Sequence, residues 1–270
     1  MALHAAHDLL ACPHCSADLD PDGARWVCPS GHSFDVAKQG YLNLSGSAEP
    51  ANADTAAMLD ARARVQSAGV FRSISTGLDQ LIPLNGVRTV LEVGAGTGHY
   101  LAELVDERPP ARGVALDISR AAAKRAAKAH HRVASVVADV WQRLPVRTGA
   151  FDVVLCIFAP RNAEEFARVL SPSGRLVVAT PTERHLVELR ERYDLLGIQP
   201  DKTERLLATL GEYLRHERTY TVKSHRPLTP DVLDELIGMG PNAHHNPPST
   251  QGPLAVTLSV ELNLFGPLAG

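Results

Sequence analysis

Three kinds of hydrophobic pattern divide the chain. Between residues 85 and 181, short unbroken apolar runs alternate with stretches of helical period, which predicts strands at 88–93, 112–116, 133–138, 151–158 and 175–180. Helices are expected from about residue 98 to 105, over 120–131 and 163–170, and from near Thr182. Runs that are apolar on both faces mark parallel strands covered by helices on both sides, so this part reads as a doubly wound α/β sheet. Ahead of it, residues 54–81 carry a helical pattern that Asp54 or Thr55 is suited to cap and Gly69 to divide in two. A different pattern closes the chain. Val256 to Leu264 alternates strictly, as does Arg218 to Lys223, with a helix expected over 229–238 between them. Strict alternation predicts a last, antiparallel strand with one wetter face.

The bulk properties narrow the picture. At 270 residues the chain is long enough for one full α/β domain and a small accessory module, and its 44% hydrophobic and 21% charged content is that of an ordinary globule. The longest apolar runs are strand-length and the N-terminus MALHAAHDLL has no basic segment, so neither a membrane span nor a secretory signal is expected, and a cytoplasmic location is. A formal net charge of −3 supplies no overall attraction to nucleic acid, so any RNA contact has to come from local patches.

The candidate chemistry centres on VLEVGAGTGHY, Val90 to Tyr100. An apolar strand carrying Glu92 runs into Gly94, Gly96, Thr97 and Gly98 and then into a helix, which lets a ligand approach the backbone and the first helical amides. The glycines run Gly-x-Gly-x-Gly, whereas the dinucleotide fingerprint is Gly-x-Gly-x-x-Gly, so a dehydrogenase is disfavoured. An acid followed by this spacing resembles the first motif of class I S-adenosylmethionine-dependent methyltransferases, whose cofactor has an amino group that a carboxylate can meet. Asp117, at the tip of the second strand, is placed to take the ribose hydroxyls, and Asp139 with Val140, after the third, to hold the adenine. Cys156 falls inside the fourth strand and reads as core.

The N-terminal segment offers a second chemistry. Cys12, Cys15, Cys28 and His32 have the spacing C-x2-C-x12-C-x3-H, two short knuckles separated by a span able to form a hairpin. Four filled positions describe a structural, tetrahedral zinc site with no vacancy for catalysis; His14, inside the first knuckle, is expected to be exposed.

This ribbon is followed by His32-x-Phe-Asp-x-Ala-Lys-x-Gly-Tyr-x-Asn-Leu44, and the combination with a methyltransferase domain resembles the RlmA-type 23S rRNA guanine-N1 methyltransferases, the tylosin and mycinamicin resistance enzymes among them. The likeness runs on through Asp54, Met58, Ala61-Arg62 and Ala68-Gly69-Val-Phe71 to Met239-Gly-Pro241. It implies a zinc-ribbon RNA-recognition module at 1–45, a linker with cofactor-covering helices at 46–84 and the methyltransferase domain at 85–270. It also implies a hairpin of 23S rRNA as substrate, a homodimer as an option, and contacts to the cofactor from Phe71 and His185. The bland readings are that Phe71 is core, His185 a surface residue at a helix start, and 33–44 a connector packed beneath the ribbon.

The Phe158-Ala159-Pro160 turn matches the aromatic-Ala-Pro of that family at the active-site loop, and differs from the Asn/Asp-Pro-Pro-Tyr turn of enzymes that methylate exocyclic nitrogens. Guanine N1 carries a proton at neutral pH, for which Asp54, His99 and His185 are candidate acceptors. Residues 1–45 hold only Arg25 and Lys38 as cations against five aspartates, so Arg62, Arg64 and Arg72 are the candidate phosphate contacts. His244-His245 lacks a nearby third ligand and reads as part of a substrate-side loop. Two other functions are carried alongside: a small-molecule methyltransferase, and a non-catalytic zinc-ribbon RNA-binding protein with a vestigial cofactor fold.

Overall fold

The computed structural model describes residues 2–198, 202–244 and 249–268; His245 lies outside the described residues. A 3-10 helix, Ala2–Leu9, leads into a three-stranded antiparallel sheet of β1 (Asp20–Asp22), β2 (Arg25–Val27) and β3 (Ser33–Asp35). Then β4 (Tyr41–Asn43) leaves the ribbon and pairs in parallel with β7 (Val133–Val137), Leu42 opposite Val136. The stretch expected as a connector is therefore two strands. Its Leu42 is fully buried in the main core, which is what holds it there.

Helices α1 (Ala56–Ser67) and α2 (Arg72–Leu81) follow, with Thr55 as N-cap accepting from the Met58 amide and Gly69 at φ +66° in the turn between them. The alternating part then runs β5 (Thr89–Val93), α3 (His99–Asp106), β6 (Arg112–Asp117), α4 (Arg120–Ala126), β7, β8 (Phe151–Ile157), α5 (Ala163–Val169) and β9 (Leu170–Pro181). It closes with α6 (Val187–Tyr193), α7 (Lys202–Gly211), β10 (Leu214–Leu228), α8 (Pro230–Gly238), a 3-10 turn at Pro241–His244 and β11 (Leu254–Pro267). The eight-stranded sheet has the order β10-β11-β9-β8-β5-β6-β7-β4, in which only β10 and β11 run antiparallel to their neighbours.

Two apolar cores sandwich this sheet, and the period of two assigns residues to them. Leu91 and Val93 of β5 join Val154, Cys156, Leu176 and Val178 on the face covered by the N-terminal helix, the ribbon and α5. Val90, Val153, Leu155 and Val177 join the opposite face under α2, α3 and α8. Trp26 of the ribbon is 1% exposed within the first core, so ribbon and sheet share packing; a side chain buried to this degree contributes roughly 1.5–3 kcal/mol.

β11 is antiparallel to both neighbours, as its alternation predicted: Val256, Leu258, Val260 and Leu262 face the core under α2 and α6, while Thr257 and Glu261 on the other face are only half-buried. The greater exposure falls on the edge strand β10, whose own alternation is weaker. Two helices also differ from expectation: α4 ends at Ala126, and α6 starts at Val187 after Leu186 takes a left-handed conformation, φ +54°.

Candidate active site and metal centre

From β5 the chain crosses to β6 on one side and later returns to β8 on the other, so the crevice beyond the C-terminal ends of β5 and β8 is the switch point where open α/β sheets take ligands. The glycine turn stands there. Gly94, Gly96 and Gly98 have φ of +67°, +55° and +76°, and the amides of Gly94 and Ala95 are drawn onto the Leu116 carbonyl. One of these positions excludes a side chain by contact as well as by conformation: a Cβ on Gly94 would collide with Ala159, whereas at Gly96 the near neighbour is the movable end of Arg62.

The expected cofactor residues gather around this turn. Asp117 accepts from the Gly96 amide at 2.8 Å through one oxygen and from the Ser119 amide at 2.9 Å through the other, and burial pushes its carboxyl above the usual range. Glu92 is 1% exposed and accepts from the Leu101 amide at 3.2 Å in the first turn of α3. Burial, reinforced by the nearby Asp117 charge and opposed by that hydrogen bond, pushes Glu92 up to about 8. Thr97 donates to Gln66 of α1 at 2.8 Å, tying the loop to the covering helix. Asp139, past the end of β7, caps the Trp141 amide at 3.0 Å, and Val140 is buried with its carbonyl accepting from Asn162.

Three rings brought from distant parts of the chain form the wall of the crevice. Phe71, at the start of α2, Phe158, after β8, and His185, before α6, have centroids 6.4, 5.8 and 6.4 Å apart, with the planes of Phe71 and His185 nearly parallel, 20° apart. Phe71 is buried; Phe158 is 43% exposed and held at φ +56°, a strained backbone for a bulky residue and one often found at functional sites. His185 Nδ1 accepts from the Ser259 amide at 3.4 Å, which puts the proton of a neutral ring on Nε2. Pro160 ends the loop, exposed, and its carbonyl receives the Cys156 thiol at 3.4 Å. Burial pushes that thiol up to about 12, so Cys156 is inert core and no nucleophile.

Of the other candidate proton acceptors, Asp54 is ion-paired to Arg62, which also donates to the Met239 carbonyl at 2.9 Å. His99 faces Glu103 at 3.5 Å, and its half-buried position pushes its basicity down. The residues that the sequence did not assign to this place are Arg62, which leans over Gly96, Gln66, and Ser119, whose hydroxyl holds the Asp54 carbonyl at 2.7 Å. Their chain spacing carries no motif; only the fold of α1 across the glycine turn brings them in.

In the ribbon, Cys12, Cys15, Cys28 and His32 offer ligand atoms that all lie within 4.8 Å of one another. The separations that bear on geometry are Sγ–Sγ 3.6 Å for Cys15–Cys28, and Sγ–Nδ1 3.5 and 3.2 Å from Cys12 and Cys28 to His32. A tetrahedron with Zn–S of about 2.3 Å and Zn–N of about 2.05 Å has edges of roughly 3.8 and 3.6 Å, so the set fits a zinc ion ligated by three thiolates and one imidazole. His14 is exposed and outside the set, its ring against those of His32 and Phe34.

The comparisons agree with both halves. The family model described as the RlmA N-terminal zinc ribbon matches residues 10–45, and one described as a methyltransferase domain matches 90–174. Among solved structures, the YcgJ protein of Bacillus subtilis superposes with a TM-score of 0.51 at 18% identity, covering 73% of this chain and 99% of that one. The complex of a Haloferax volcanii methyltransferase with its Trm112 activator gives 0.52 at 17%, covering 80% and 99%. Both support the class I methyltransferase fold. The whole chain is 37% identical to the 23S rRNA (guanine(748)-N(1))-methyltransferase of Streptomyces fradiae, over 96% of this chain and 97% of that one. A Micromonospora griseorubida chain described as a 23S rRNA (guanine-N(1)-)-methyltransferase is 38% identical over the same shares. With 37–38% identity over nearly the full length of both relatives and the RlmA ribbon matched at its N-terminus, the chain belongs to the RlmA-type family of 23S rRNA guanine-N1-methyltransferases.

Proposed function

We propose that this protein transfers the methyl group of S-adenosylmethionine to N1 of a guanine in 23S rRNA, in a hairpin loop, with guanine 748, for which the Streptomyces fradiae relative is named, as the target. The observation that carries this reading is the Phe158–His185–Phe71 wall beside the glycine turn, because N1 lies on the pairing edge and the base has to leave its stack to be reached. Its exposed Phe158 ring offers the displaced base a new stacking surface.

When bound, S-adenosylmethionine supplies an electrophilic methyl group on a sulfonium. The protein's part is to hold N1 about 3 Å from that carbon, in line with the leaving sulfur, and to keep water out. In this reading Glu92 meets the cofactor's amino group, Asp117 the ribose, and Asp139 with Val140 the adenine. Asp54, His99 and His185 are tested as the acceptor of the guanine N1 proton by the pH dependence of their Asn and Gln variants.

The zinc ion folds the ribbon and does no chemistry, and in this reading the ribbon grips the hairpin while the central domain acts. The reading extends to a homodimer as the working form and to macrolide resistance in the cell. The decisive experiment is to incubate the zinc-loaded protein with labelled S-adenosylmethionine and protein-free 23S rRNA and to map the product by primer extension and mass spectrometry. A single 1-methylguanosine is expected. Label on no RNA, with cofactor binding intact, would overturn the reading in favour of a small-molecule substrate.

A further inference from the structure

The acidic ribbon poses a question of charge, and the structure narrows where the answer can lie. Of the three arginines expected to meet phosphates, Arg62 is spent on Asp54 and Arg64 on Glu235 at 2.6 Å. Arg72 is exposed at the start of α2 and lines an open groove of about 810 Å³ between the α1–α2 turn and the edge strand β10. From β10, whose side chains alternate, Tyr220, Val222, Ser224 and Arg226 face this groove, and Arg226 donates to the Gly69 carbonyl at 3.1 Å and so steadies the turn. Hydroxyls of Ser73, Thr76 and Ser224 add neutral donors, and among the described residues that line it there is no carboxylate. In a chain of net charge −3 that is a local concentration of positive charge.

Register places this groove beside the chemistry. Val222 pairs with Val260, and Val260 with Pro181, the last residue of β9. The residues of β10 after Val222 therefore extend past the C-terminal edge of the parallel strands, the edge that carries the glycine turn and Phe158. Phe71, in the aromatic wall, lies in sequence between Val70 and Arg72, both of which line the groove. A second groove, of about 400 Å³, shares Thr221 and Lys223 but carries Glu183, Glu204 and Glu261, which would repel an anion. A polyanion is thus steered along the first groove toward Phe158.

We propose that the groove between the α1–α2 turn and β10 binds the sugar–phosphate backbone of the RNA substrate, with Arg72 and Arg226 as its phosphate contacts. The proposal rests on the RNA methyl-transfer reading above and names a surface for it that the ribbon's charge does not supply. Cations on an edge strand also discourage sheet-to-sheet pairing, which accounts for Arg226 by itself. That explanation does not reach Arg72, which faces the same groove from a helix.

The test compares two double variants of the full, zinc-loaded chain that remove equal charge: Arg72→Gln with Arg226→Gln in the groove, and, as the α4 variant, Lys124→Gln on α4 with Lys128→Gln in the turn after it. Binding of a protein-free 23S rRNA transcript is followed against salt concentration, and S-adenosylmethionine binding is followed in parallel. Losing two phosphate contacts should lower the slope of log K against log salt by roughly 1.4, at about 0.7 per contact with unpaired strands. The groove variant is expected to show that drop with unchanged cofactor affinity, and the α4 variant to keep the slope of the unaltered chain. Equal slopes in the two variants would overturn the proposal. Absence of methyl transfer by the unaltered chain would instead overturn the function, so the two failures are told apart.

Discussion

The rings of Phe158 and His185 lie 5.8 Å apart, brought together from the loop after β8 and the turn before α6. Neither position is near the glycine turn in sequence, and each is shaped by a backbone rarity next to it: Phe158 itself at φ +56°, and Leu186, the neighbour of His185, at +54°.

Replacing Phe158 by Ala should therefore cost turnover more than cofactor binding. A kcat for RNA methylation lower by roughly 10- to 100-fold is expected, as for a lost stacking contact of about 1–3 kcal/mol. S-adenosylmethionine affinity should change little, and Phe158→Tyr should restore most of the rate. Equal losses in affinity and rate would place Phe158 against the cofactor instead of the base.

Gly94→Ala is expected to weaken S-adenosylmethionine binding at least tenfold, read by calorimetry. The new Cβ meets Ala159 and the backbone is held at φ +67°, so the turn and the Phe158 loop cannot both keep their places.

Glu92 gives the stability a pH dependence of predictable sign. Its carboxyl ordinarily titrates at 4.5 and burial pushes it up to about 8 in the folded chain. Between those values the folded state holds a proton that the unfolded state has released, so this group's contribution to stability falls as pH rises from about 4.5 to about 8. Denaturant midpoints of Glu92→Gln should accordingly decline less over that interval than those of the unaltered chain, and parallel curves would refute the assignment.

Removing zinc should destabilise more than the ribbon. Leu42 and Trp26 are packed in the same core as Leu91 and Val154, and β4 is hydrogen-bonded to β7. Chelation is expected to lower the temperature of a single cooperative transition, followed both by far-ultraviolet circular dichroism and by Trp fluorescence, and Cys15→Ser should reproduce it. A transition confined to the ribbon would show that the ribbon melts independently of the sheet.

How much of this was legible in the sequence depends on the range of the interaction involved. Local patterns were readable because local geometry produces them: the ligand spacing of Cys12 to His32, the glycines that need positive φ, the apolar runs of β5 to β9, and the Thr55 cap. Fold class follows from such patterns, since a strand buried on both faces has to be apolar throughout. Contacts that depend on layer packing were not readable. The strict alternation of Val256 to Leu264 announced an antiparallel strand with one wetter face, but not that the sheet edge and its larger exposure fall to β10, because strand order is decided by tertiary pairing. The same holds for β4, whose three residues carry too little pattern to announce a place in the main sheet. Arg62 looked like a surface cation until the crossing of α1 over Gly96 paired it with Asp54, and Arg72 on the neighbouring helix was left facing an open groove. Sequence by itself determined most of the elements, the clustering of Cys12, Cys15, Cys28 and His32 and the glycine turn, all of them short-range. The tertiary structure alone decided which side chains share the crevice, because that depends on how the helices cover the sheet.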